Sequence, residues 1–178
     1  MADPFEAEND AEWSQWFAAL HDGHKAKAIK AVTGESNEFS LRDGATGQNS
    51  NITHLPHRFF NESRGLTKLN LYECTSLTAL PESFGQLQAL TTLKLYCSSL
   101  AALPESLGQM QALTTLKLYC SSLAALPESL GQLQALTKLD LYDCTSLAAL
   151  PESLGHLQAL TNLNLRFCDS LAALPESL

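Results

Sequence analysis

Three side-chain types in this sequence recur at spacings that chemistry could use. His21-Asp22-Gly23-His24 and His54-Leu55-Pro56-His57 each set two imidazoles three positions apart, and two such pairs could complete a four-ligand zinc site. Both lie in the least regular part of the chain with no cysteine pair beside them, so no metal is expected. Cys74, Cys97, Cys120, Cys144 and Cys168 follow one another at intervals of 23 or 24 residues. Each occupies the same place in a recurring sequence, so none stands out as a nucleophile. Glu82, Glu105, Glu128, Glu152 and Glu176 recur in the same way. They form a column instead of converging on a cleft, and are read as a solvated rim. The chain holds no Gly-rich phosphate loop and no nucleophile elbow. Neither catalysis nor a cofactor is expected.

The elements that position these residues come from the repeat itself. Residues 66–89 read LTKLNLYECTSLTALPESFGQLQA, and 90–112, 113–135 and 136–159 restate it in 23, 23 and 24 residues. A fifth copy opens at Leu160 and is cut short at Leu178. A period of this size marks a stacked solenoid. Within a unit, Leu69-Asn70-Leu71-Tyr72 alternates apolar and polar, the pattern of a strand with one buried face. Pro81 holds Leu80 extended and suits the first position of a helical turn. Phe84 and Leu87, three apart, fit a short 3₁₀ segment, and Gly85 argues against a longer helix. A unit supplies about seven apolar side chains at roughly 1.5–3 kcal/mol each when buried. Ordering its backbone costs about 1–2 kcal/mol per residue. No unit folds alone, and the interfaces between units must hold the array together.

The pattern LxxLxLxxCxxLxxLP, as at Leu66–Pro81, resembles the leucine-rich repeat. The CxSL and LPESLG blocks resemble the arrays of plant-type intracellular immune receptors, although nothing here resembles their nucleotide-binding domain. The resemblance implies an α/β solenoid: a curved horseshoe with a parallel sheet on its concave face and short 3₁₀ or helical segments on its convex face. It also implies that the inner sheet binds another macromolecule.

Three regions are expected. Residues 1–34 carry Trp13, Trp16, Phe17 and Leu20 at helical spacing, then Ala26, Ile29 and Val32. They are read as a helical cap over the first turn of the solenoid. Residues 35–65 are a degenerate opening repeat, with Phe39, Leu41, Ile52, Leu55, Pro56 and Phe59 laid on Leu69, Leu71, Leu77, Leu80, Pro81 and Phe84. A loop around Gly44–Gly47 takes up the surplus residues. Residues 66–178 are the array, four full copies and one truncated. Beyond it Leu171, Leu174 and Leu178 have no cap, so self-association through that end is an alternative role.

The formal charge of −8 argues against nucleic acid or an anionic membrane as partner. The acidic MADPFEAEND start has no apolar run of a secretory signal, and no stretch reaches the roughly 20 apolar residues of a membrane span. With an odd number of cysteines that track the repeat, reduced inward thiols and a cytoplasmic location are expected.

Residues that alternate with the buried leucines face outward from the sheet in three columns. Lys68, Thr92, Thr115, Lys138 and Asn162 form the first; Asn70, Lys94, Lys117, Asp140 and Asn164 the second; Tyr72, Tyr96, Tyr119, Tyr142 and Arg166 the third. Tyrosine offers large contact area and a hydroxyl at low entropic cost and is enriched at interfaces. A row of identical residues can also simply stabilise neighbouring strands. The expected function is a non-enzymatic protein-binding module. Its contacts would be the four tyrosines with Lys94 and Lys117, assisted by Lys68, Lys138, Asp140 and Arg166. An acidic group of the partner is expected over Lys94 and Lys117. The alternatives are a self-associating spacer and the recognition arm of a larger immune-type or effector protein.

Overall fold

The computed structural model describes residues 11, 15, 16, 27, 28, 31, 34, 36–41 and 52–178. Among these residues, six short strands form one wholly parallel sheet in sequence order. They are β1 (Glu38–Ser40), β2 (Lys68–Tyr72), β3 (Thr92–Tyr96), β4 (Thr115–Leu118), β5 (Lys138–Asp140) and β6 (Asn162–Asn164). The register puts leucine on leucine: Leu69, Leu93, Leu116, Leu139 and Leu163 stand opposite one another in succession. Parallel strands need a long crossover between them. Here each of the four crossovers from β2 to β6 carries one 3₁₀ turn: Glu82–Gln86, Glu105–Gln109, Glu128–Gln132 and Glu152–His156. The result is the curved solenoid that the repeat period implies. One continuous core fills it, with nearly every leucine of the central units fully buried.

The 3₁₀ turns begin after an extended proline, with φ −74° and ψ 159° at Pro81. They pack in file, and glycine is what lets them. A Cβ on Gly108 would lie 2.6 Å from the Ser129 carbonyl oxygen and 2.8 Å from the Ser129 Cβ. Gly85, Gly131 and Gly155 meet the serine of the following unit in the same way. The turn-column glutamates are not merely a solvated rim. Glu82 accepts a hydrogen bond from the Ser106 backbone N–H at 3.1 Å, Glu105 from that of Ser129 at 3.2 Å, and Glu128 from that of Ser153 at 3.4 Å. Each carboxylate thereby satisfies a donor at the start of the next turn, where helical N–H groups have no internal partner.

A second ladder runs beside the strands. The hydroxyls of Thr91, Thr114, Thr137 and Thr161 donate to the carbonyls of Thr67, Thr91, Thr114 and Thr137 at 3.0–3.2 Å. The cysteines point inward, free and buried. The Cys97, Cys120, Cys144 and Cys168 thiols donate to the carbonyls of Leu71, Leu95, Leu118 and Leu141 in the preceding unit.

The first unit departs from the others. β1 pairs with β2 with Phe39 opposite Leu69, but its crossover holds an α-helix, α1 (His57–Glu62), instead of a 3₁₀ turn. Phe60 stands where later units have glycine and meets Phe84 edge-on at 5.3 Å. Trp16, a helical residue, is buried against Phe59 at 5.3 Å and Phe39 at 6.3 Å. Helical Ala28 and Ala31 join the same core. Trp13, Phe17, Leu20, Ala26, Ile29, Val32, the Gly44–Gly47 loop and the His21/His24 pair lie outside the described residues.

Candidate interaction surface

The tyrosines are brought together as one stack. Strand register sets Tyr72 opposite Tyr96, and the Tyr119 N–H continues the ladder by donating to Leu95 O at 2.8 Å. Successive ring centroids lie 4.9, 4.4 and 5.4 Å apart from Tyr72 to Tyr142, close to the spacing of adjacent strands. The Tyr96 and Tyr119 rings are stacked nearly parallel, at 20°. The fifth ring is one that strand alternation did not supply. Phe167 packs edge-on against Tyr142 at 5.0 Å, and the Arg166 guanidinium lies 5.5 Å over the Phe167 ring, within cation–π range.

Phe167 enters the stack through the residue that lengthens a unit. Glu73, Asp143 and Phe167 each precede the cysteine of a longer unit, and among the described residues they are the non-glycine residues with positive φ, at 55°, 61° and 61°. One left-handed residue absorbs the insertion and returns the chain to register at cysteine.

The charged residues divide by what already holds them. Lys68 Nζ pairs with the Glu38 carboxylate across β1 and β2. Lys117 Nζ lies 3.7 Å from Asp140 Oδ2. Asp140 is only 5% exposed. It also accepts from the Tyr119 hydroxyl at 3.3 Å and, through Oδ1, from Asn164 Nδ2 at 2.8 Å. Burial, the Asp140 charge and Tyr96 push the Tyr119 phenol up to about 12. The expected acid-binding pair of lysines is therefore divided: Lys117 has a carboxylate within its own sheet. Among the described residues, neither Lys94 nor Lys138 has one.

His54 and His57 border an open hollow with Thr78 and Pro81. The His54 ring nitrogen Nδ1 lies 3.2 Å from the Thr53 hydroxyl. Among the described residues no three His, Cys, Asp or Glu side chains group to hold a metal ion. None of their helices is long and apolar enough to cross a membrane.

Comparison with known families settles what the array is. The family described as "Leucine-rich repeat region" matches residues 49–178. The chain belongs to the leucine-rich-repeat proteins. A leucine-rich-repeat protein of Leptospira interrogans has a similar structure, with 28% identity and a TM-score of 0.60 over 83% of this chain. The match covers 45% of that protein. The leucine-rich-repeat domain of the type III effector XopL shares the fold, with a TM-score of 0.55 at 19% identity over 97% of this chain and 88% of that one. No curated protein sequence matches. A leucine-rich repeat is typically a protein-interaction module, and here the stacked rings and the charged columns share the outward surface of the sheet.

Two contributors to that surface escaped sequence reasoning. Glu38 was within reach, since laying Phe39 on Leu69 puts Glu38 in the column of Lys68. Phe167 was not: it follows Arg166, which holds the tyrosine position, and only the left-handed backbone turns its ring back onto the stack.

Proposed function

We propose that the chain is a non-enzymatic module that binds a protein partner on the sheet face. Tyr72, Tyr96, Tyr119, Tyr142 and Phe167 form the centre of the contact, with Lys68, Lys94, Lys117, Lys138, Asp140 and Arg166 around it. The observation that carries this reading is the five-ring stack in register with the strands. Its rings are already held by their neighbours and by the core beneath. Binding then immobilises little, and preorganisation of that kind raises affinity by lowering the ordering cost. Buried aromatic anchors dominate the energy of such interfaces.

The test is capture of a partner by the intact chain and by the Tyr96→Ala/Tyr119→Ala variant, with circular dichroism confirming that both fold. A protein held by the first and released by the second supports the reading. Equal capture by both moves the site off the sheet face.

A second reading has its own observation. Phe167, Leu174 and Leu178 are 49, 58 and 54% exposed at the far end of the array. Leu160, Leu163, Leu165 and Leu171 are only partly covered there. Those exposed apolar side chains are suited to self-association.

A further inference from the structure

Beside the tyrosine stack, the sheet face has a hollow of about 230 Å³ whose lining includes Glu38, Lys68, Asn70, Thr92 and Lys94. Its charges do not cancel. Lys68 is taken by Glu38, which leaves Lys94 as one uncompensated positive charge in a chain of net charge −8. The polar groups around it are equally unengaged. Among the described residues neither the Thr92 hydroxyl nor the Asn70 amide group has a hydrogen-bond partner, and the Asn70 amide oxygen is buried without one.

Their placement follows from the register. Asn70 and Lys94 are directly opposite on β2 and β3, a separation of about 4.8 Å. Thr92 lies two residues before Lys94 on the same face of β3, about 6.6 Å away along the strand. An amide from β2 and a hydroxyl and an ammonium from β3 thus line the same hollow. The two oxygens of a carboxylate can accept from all three, and the bond from the charged donor is the strongest of them.

We propose that this hollow seats a single Asp or Glu side chain of the bound protein. The inference rests on the sheet face being the protein-binding surface and names what that partner must present. A lone carboxylate matches the net single positive charge of the lining. A phosphate dianion would overfill it, with the Glu38 carboxylate close enough to oppose the second charge.

Randomised peptides displayed against the intact chain test this, with the Lys94→Glu variant panned in parallel and both proteins checked by circular dichroism. Wild type selects Asp or Glu at one fixed position, and Lys94→Glu selects Lys or Arg at that same position. A synthetic copy of the winning peptide binds Lys94→Glu about tenfold or more weaker, the scale of one charged hydrogen bond. It binds Arg64→Glu, a charge reversal away from the sheet, as it binds wild type. Winners that require Tyr96 and Tyr119 but show no acidic position would overturn the carboxylate seat and leave the protein-binding reading standing. An equal loss with Arg64→Glu would reduce the effect to overall charge and overturn the seat as well. Displacement of the peptide by inorganic phosphate at lower concentration than by acetate would overturn the choice of a carboxylate. No enriched peptide in either selection would overturn both the seat and the reading beneath it.

Discussion

At Gly108 a single added methyl group has nowhere to go. The Ser129 carbonyl would sit 2.6 Å from it, and backbone of the neighbouring turn cannot swing aside as a side-chain tip can. Gly108→Ala is therefore expected to lower stability by about 1–3 kcal/mol, the usual cost of overpacking, measured by urea unfolding. Gly65→Ala, with open space around it, should change it little. The thiols make a second residue-scale prediction. Burial pushes Cys120 and Cys144 from an ordinary 9.0 up to about 12. Above pH 9 the unfolded chain releases these protons while the folded chain keeps them. Stability is thus full below that pH and drains away between pH 9 and 12. Tyr119, raised from 10.0 to about 12, adds to the same loss. A urea-unfolding series across this range should fall with pH, and Cys120→Ala should flatten the slope. Inward reduced cysteines could be read directly from their spacing. The clash that demands each glycine could not, because it arises between residues that lie about twenty positions apart and meet only when turns stack.

The elements themselves were the most legible level. A two-residue alternation gave the strands, a proline followed by a three-residue apolar spacing gave the 3₁₀ turns, and identical units left register little freedom to slip. Reading failed where units stop being identical. Ahead of the regular array, Phe60 stands where the later turns have glycine, and the crossover there is the α-helix α1. The glutamate column looked like simple solvent exposure because its partner, a backbone N–H of the next unit, has no sequence signature. The extra residue of the longer units was visible as an insertion, but not as a left-handed one. That conformation is costly for a side chain without local hydrogen bonding, about 1–2 kcal/mol. Glu73, at φ 55°, should therefore tolerate glycine well. Glu73→Gly is expected to raise thermal stability slightly, by up to about 1 kcal/mol, whereas a β-branched Glu73→Val should lower it by at least as much.

At the scale of the whole molecule, the two ends differ. Phe39, Phe59, Phe60 and Trp16 pack together at the first, whereas Leu174 and Leu178 face outward at the other. If these exposed side chains drive self-association, light scattering should give a mass that rises with concentration for the intact chain and stays monomeric for Leu174→Asp. A monomer at all concentrations would remove that reading and leave the sheet face as the sole candidate surface. Within residues 66–159, each junction is made from the same pairs: threonine on threonine carbonyl, cysteine on leucine carbonyl, glutamate on serine N–H, glycine against serine. A unit meets its neighbour through groups that every neighbour possesses. If residues 113–135 were spliced out, residues 90–112 would close on 136–159 with the same partners, one tyrosine shorter. Genetic exchange between misaligned copies can therefore lengthen or shorten this protein by whole units without leaving a scar. The reach of its aromatic stripe then becomes a heritable trait that varies in steps of one ring.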